Sequence, residues 1–362
     1  MKISRNIFAK QSGVIAAGAV IGILAVLLQK FGNPGNMGIC VACFTRDIAG
    51  SLGLHRTAAV QYLRPEIFGI ILGAFITALI FSEFKPRAGT SSMIKFFLGA
   101  FAMIGALVFL GCPWRLSLRL AAGDGQALFG LAGLVSGIWA GTRFFAFGYN
   151  PGTWSKAKPS TGLLLPFFIT GILILSFVYP PLKEQAKNGL FFYSIAGPGS
   201  MHAPILVSLI FGMIIGFFLQ RSRFCTIGGI RDFLLFKQTH LLTGVISLII
   251  FAFIMNIVFG YFKPGFINQP IAHSEVIWNF LGMMLAGLSF TLAGGCPGRQ
   301  LVLAGEGDGD AGVFFLGMLS GAGYAHNFML AATPQGVSLN GKIAVITGLI
   351  IVPLIAWGMR EE

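Results

Sequence analysis

Charge is scarce in this sequence. Only 10% of its 362 residues are Asp, Glu, Lys or Arg, against 55% hydrophobic. A globular domain of this length could not cover itself with so little polar material. Acidic residues are scarcer still, 12 against 25 Lys and Arg, and they cluster at the ends of apolar runs, so no mid-span carboxylate stands out as a proton carrier. Cysteine is limited to five residues. A small odd number in a chain this long excludes a disulfide framework. The lone C-x-x-C, Cys40 to Cys43, lacks the two further soft ligands nearby that a zinc site needs, and no metal or cofactor is expected. What is abundant is apolar. Mean hydropathy is +0.82, and runs of bilayer-spanning length recur along the whole chain, which makes it polytopic rather than an anchored soluble domain.

The net charge of +13 would suit a nucleic-acid binder, but the basic residues are spread over short loops. That pattern implies membrane topology and attraction for an anion, with no nucleic acid. The basic start, Met1 to Gln11, followed by an apolar run, has the form of a secretory leader. The run has an internal counterpart near 203–219, and is therefore taken as a permanent first span.

Ten spans are expected, all helical. Five lie in a first repeat over 1–180, near 13–29, 66–82, 94–110, 126–147 and 162–179. After a polar linker at 181–202, five more follow in a second repeat over 203–362, near 203–219, 241–262, 276–293, 310–331 and 343–358. The halves correspond residue by residue. Cys40 and Cys225 stand 185 apart, as do Arg46 and Arg231, Asp47 and Asp232, and His55 and His240. Cys112 and Cys296 stand 184 apart, as do Pro113 and Pro297, Asp124 and Asp308, and Gly137 and Gly321. An odd number of spans per half would insert the second half upside down, as in many transporters. The expected fold is thus an all-α polytopic membrane protein of two inverted five-span repeats.

Four segments are too polar or too broken to cross: 40–54, 114–122, 225–236 and 298–304. They read as short re-entrant helices. Non-helical backbone at membrane depth is tolerated only within protein or beside water, so these breaks predict a central pore. The 50 glycines, among them Gly130, Gly133, Gly137 and Gly141, read as close helix packing.

Gly111-Cys112-Pro113-Trp114-Arg115 and Gly294-Gly295-Cys296-Pro297-Gly298-Arg299-Gln300 carry the chemistry. Proline suits the first helical turn, which places Cys112 and Cys296 at helix N-caps, beside unpaired N–H groups that favour an anion. Arg115 and Arg299 in that same turn oppose the macrodipole by roughly 0.3–1 kcal/mol each. A bound anion, or Asp124, Asp308 or Glu306 folding back, should compensate. A thiolate about 4 Å from an anionic cargo would repel it by roughly 4 kcal/mol at an effective dielectric of 20. Neutral S–H groups are therefore expected while cargo is bound, as soft contacts to an anion containing sulfur or selenium. Cys40 and Cys225 complete a symmetric set of four. Cys43 has no counterpart, since Gly228 holds its place, and ranks below Cys40. Arg46–Asp47 and Arg231–Asp232 are supporting residues, for which mutual neutralisation is as good a reading as a substrate role. His55 and His240 read as interfacial caps, His326 with Asn327 as a weaker site, and Trp114 as the one aromatic to test.

At these residues the sequence resembles the YeeE/YedE family of membrane proteins, most closely its selenium-metabolism-associated branch. The likeness covers nearly the whole chain and rests on Cys40 with Arg46-Asp47, Gly111-Cys112-Pro113, Cys225 with Arg231-Asp232, and Gly295-Cys296-Pro297-Gly298-Arg299-Gln300 together. It implies uptake of a thiosulfate-type anion across a prokaryotic inner membrane, relayed by transient S–H hydrogen bonds along Cys40, Cys112 and Cys296, with Cys225 as a further candidate. A cytoplasmic sulfur-carrier protein is an implied partner. Arg after both Cys-Pro pairs and the extra Cys43 depart from the family's plain pattern and leave a selenium compound open as cargo.

Cations at Lys2, Arg5, Lys10, Lys85, Arg87, Lys95, Lys156, Lys158, Arg221 and Arg223 favour a cytoplasmic N-terminus over the opposite set, Arg56, Arg64, Lys183, Lys187, Lys263 and Lys342. Two rivals remain to the transporter reading. One is a membrane thiol-disulfide oxidoreductase using Cys40 and Cys43; the other is a scaffold that recruits a sulfurtransferase.

Overall fold

The computed structural model describes residues 7–179 and 190–361. The expectations placed on Lys2, Arg5, Lys183 and Lys187, and on the first part of the linker, 181–189, lie outside the described residues. Apart from two short strands, Arg87–Ala88 and Ser155–Lys156, and two single 3-10 turns, the described chain forms helices. In the first half they are α1 (Gln11–Lys30), α2 (Val41–Ser51), α3 (Pro65–Ile80), α4 (Ser92–Phe109), α5 (Pro113–Ala121), α6 (Gln126–Ala146) and α7 (Pro159–Val178). In the second they are α8 (Ile205–Ser222), α9 (Thr226–Phe236), α10 (Leu242–Val258), α11 (Val276–Ala293), α12 (Pro297–Gly305), α13 (Gly309–Asn327) and α14 (Leu339–Gly358). The protein is an all-α polytopic membrane protein: seven helical stretches among the described residues are long and apolar enough to cross a bilayer, and α3 and α10 are shorter apolar helices.

Local chemistry explains where the helices begin and end. Pro65, Pro113, Pro159 and Pro297 open α3, α5, α7 and α12, where a missing N–H breaks no hydrogen bond. Ser338 and Asp308 cap α14 and α13 with side-chain oxygens, satisfying first-turn donors. Leu110, Arg223 and Gly294 close α4, α8 and α11 in the left-handed conformation, turning the chain sharply before Cys112, Cys225 and Cys296.

Packing between the halves is reciprocal. α1 lies along α10, and their counterparts α8 and α3 lie along each other; α6 lies along α11, and α13 along α4. Small residues make these approaches possible. A Cβ on Gly18 would stand 2.0 Å from Gly244 O, and one on Gly212 would stand 2.5 Å from Glu66 O. On α6 a Cβ at Gly137 would come within 2.1 Å of Met284 O on α11. These are backbone atoms, so a side chain there must push two helices apart. Gly137→Leu is therefore expected to lose about 1–3 kcal/mol or fail to accumulate. Gly171→Ala, which meets nothing within 4 Å, should be neutral or slightly stabilising. Thermal unfolding of both variants in detergent checks the contrast.

Candidate functional site

Four short helices, α2, α5, α9 and α12, begin inside the protein, and each has a cysteine at its N-cap: Cys40, Cys112, Cys225 and Cys296. All four thiols are buried and unoxidised. Three of the sulfurs accept a backbone N–H of their own first turn, Cys40 from Cys43 at 3.3 Å, Cys225 from Gly228 at 3.3 Å and Cys296 from Arg299 at 3.4 Å. Sulfur is a weak acceptor, and the remaining first-turn donors keep much of the partial positive charge, roughly half a unit per helix, that draws anions to such ends.

The thiols form two pairs. Cys40 Sγ lies 3.8 Å from Cys112 Sγ, within S–H···S reach. Cys225 Sγ accepts the Cys296 N–H at 3.3 Å. The pairs meet across Trp114 and Gly298: a Cβ on Gly298 would stand 2.3 Å from the Trp114 ring, so only glycine lets the indole lie flat against the first turn of α12. Trp114 Nε1 is buried and has no hydrogen-bond partner among the described residues. Buried donors seldom stay unmet, which marks this as a place where something polar can be held.

Cys43 is closer to the centre than its missing counterpart suggested. Its Sγ lies 3.4 Å from Arg115 Nη1 and 3.6 Å from Leu110 O, so the first half presents three thiols and the second half two. The expectation that Asp124 folds back onto Arg115 fails. Asp124 pairs with Arg119 at 2.6 Å, while Arg115 is held by the carbonyls of Leu110, Ile271 and Pro270. Uncharged carbonyls meet a buried guanidinium here because the connection before α11 runs directly over α5. At the other end Asp308 pairs with Arg87 at 2.6 Å and caps α13, and Glu306 stands 3.5 Å from Arg299.

The two Arg-Asp pairs differ. Arg46 binds Asp47 through Nε and Nη2 at 2.9 and 2.7 Å, and Arg64 takes the other carboxylate oxygen at 2.7 Å while donating to Met201 O and Pro198 O. Arg64, expected among loop cations, is wholly buried; together with Arg119 it is a functional-looking charge that sequence reasoning missed, because neither has a counterpart in the other half. Arg231–Asp232 is a simple pair at 2.8 Å, partly exposed. His55 is buried too, not interfacial: its ring lies 4.5 Å from that of His326, and its Nε2 is 3.1 Å from Arg46 O.

On the face where Ala9 and Arg223 line a common pocket, a cavity of about 380 Å³ is lined by Glu83, Lys85, Arg87, Arg223, Arg299 and Glu306. Burial alone would raise the Glu83 carboxyl. The hydrogen bond from Gln220 and the charges of Arg223 and Arg221 outweigh it and hold Glu83 below its ordinary value, so it stays ionised at neutral pH. The opposite face is covered by the connection that reaches Arg115; there Gly35 packs against Pro270 and Lys30 lies over the Phe259 ring.

Residues 221–358 match a family model described as Sulphur transport. The chain is also similar to the thiosulfate transporter TsuA of Escherichia coli, 32% identical over 108 residues that make up 30% of this chain and 30% of that protein. The thiosulfate transporter TsuA of Spirochaeta thermophila is 31% identical over 108 residues, 28% of this chain and 31% of that one. The matched stretches thus span about a third of each relative's length, and both relatives support the YeeE/YedE likeness.

The buried Asp47 network should be the costliest charge to disturb. Arg64→Met removes one of two partners from a fully buried carboxylate and is expected to cost roughly 3–5 kcal/mol. Asp232→Asn, in a partly exposed pair, should cost no more than about 1 kcal/mol. Denaturation of the two variants side by side measures the difference.

Proposed function

Taking the likeness to the YeeE/YedE sulphur-transport family as its premise, we propose that this chain is a multi-pass membrane transporter, not an enzyme, for a small sulfur-containing anion of the thiosulfate type. The observation that carries this reading is the convergence of four cysteine-capped helix N-termini in two thiol pairs. Such ends attract an anion without neutralising it. A neutral thiol can donate a weak hydrogen bond to the cargo's terminal sulfur, and weak, repeated sites let a cargo leave as well as arrive. In each pair a thiol could turn its S–H from its neighbour to the cargo and back, so Cys40 and Cys112 would pass the anion by Trp114 to Cys225 and Cys296.

The reciprocal packing of the halves supports an inverted repeat. The cations Lys10, Lys85, Arg87, Lys156 and Arg223 favour a cytoplasmic N-terminus in a prokaryotic inner membrane. The cavity beside Arg299 would then be the cytoplasmic exit, where a small sulfur-carrier protein would collect the cargo. A selenium analogue of the same charge and shape would make the same contacts. The oxidoreductase reading rests on Cys40 and Cys43 alone, and Cys43, which donates toward Leu110 O beside the Arg115 guanidinium, has no counterpart in the second half.

Uptake of labelled thiosulfate into vesicles containing only this protein tests the reading. Cys296→Ala and Cys112→Ala should each lower the rate at least tenfold, the loss of a hydrogen bond of about 1.4 kcal/mol in the rate-limiting passage, with the protein still folded. Undiminished uptake in either variant would reject the relay.

A further inference from the structure

The two halves finish their thiol pairs differently. Backbone hydrogen bonds align the connections that cross them. Lys85 N–H donates to Glu306 O at 2.9 Å and Arg87 N–H to Gly307 O at 3.3 Å; on the opposite face Lys263 N–H donates to Ala122 O at 2.8 Å and Gly265 N–H to Gly123 O at 3.0 Å. Lys85 and Lys263 therefore hold equivalent places, 178 residues apart, yet α4 and α11 start at Ser92 and Val276, 184 apart. The second connection carries six extra residues between Gly265 and α11. Within them Pro270 and Ile271 offer carbonyls to Arg115 Nη2 at 3.4 and 2.9 Å.

Arg299, the counterpart of Arg115, has no such strap. Its Nη1 is buried without a hydrogen-bond partner among the described residues, with Glu306 Oε1 3.5 Å away, and its side chain borders the cavity of about 380 Å³. Four cations line that cavity against two carboxylates; counting also Asp308, which pairs with Arg87, and Arg221, which pairs with Glu83, the surplus is two positive charges. The carboxylates already engage the guanidinium groups: Glu83 holds Arg223 at 2.7 Å, and Glu306 bonds the other Arg223 nitrogen.

We propose that this cavity is a binding site for a small oxygen-rich dianion, whose oxygens do for Arg299 what the strap carbonyls do for Arg115. The surplus charge matches a dianion, and guanidinium groups recognise oxyanions through paired N–H donors. Glu83 and Glu306 act as built-in competitors that the anion displaces from Arg223, which keeps binding readily reversible. Identifying the anion as the transported one rests on the transport reading; the site itself does not, because it recognises charge and oxygen and makes no use of the thiols. Sulfate should therefore compete with thiosulfate here.

The experiment is equilibrium binding of labelled thiosulfate to the purified full chain in detergent, with sulfate as competitor, alongside vesicle uptake. Glu83→Gln, by removing a competitor, should tighten binding about fivefold, and Arg299→Gln should weaken it about tenfold or more. Opposite signs for the two vestibule variants separate recognition from damage to the fold, which would weaken both. Unchanged or weaker binding in Glu83→Gln, or unchanged binding in Arg299→Gln, overturns the proposal. Competition by phosphatidylglycerol but not by sulfate would assign the site to a lipid headgroup and also overturns it. Binding that follows this pattern in a chain showing no uptake would leave the site standing and sink the transport reading instead.

Discussion

A helix that begins or ends inside a bilayer leaves backbone donors or acceptors with no water to meet them, and this chain begins and ends helices there repeatedly. Each break has to be enclosed by protein. The glycine-lined contacts of α1 with α10, α3 with α8, α6 with α11 and α4 with α13 supply that enclosure. Because these pairs join one half to the other, neither half could bury its own short helices alone, and the assembly of the site and the assembly of the fold are the same event.

Within the enclosure, polar groups are met in a graded way. The Arg46–Asp47–Arg64 and Arg119–Asp124 groups are buried and firmly paired, with one Arg119 nitrogen left without a partner among the described residues; removing either member of such a pair would leave an uncompensated charge in a surrounding of low dielectric. The thiol pairs are satisfied weakly, by long contacts to backbone N–H groups and to each other. Strong pairing builds the walls; weak pairing lines the route proposed between them. A path lined instead by buried Arg and Asp in firm pairs would either trap an anion or refuse it.

The departures from symmetry are as informative as the repeat. Cys43 faces Arg115 where the second half has Gly228, Arg64 has no counterpart in the second half, and six extra residues close one face while the other keeps a charged cavity. The two faces of the proposed pathway would have different tasks, and local change within a repeat is a short way to reach them.

Much of this was legible in the residues. Hydropathy marked the long apolar helices, and Cys-Pro marked α5 and α12, because periodicity and the missing proline N–H act locally and need no tertiary context. The matched offsets paired Cys40 with Cys225 and Cys112 with Cys296. Tertiary structure alone decided which thiol meets which, since Cys40 lies beside Cys112 of its own half and not beside its symmetry mate. It also decided that Arg64 is buried, that Arg115 is met by carbonyls and not by Asp124, and that Glu83, Lys85 and Arg223 share a cavity with Arg299. Such partnerships join residues far apart in the chain, and no periodicity records them, because they are set by where whole helices come to rest.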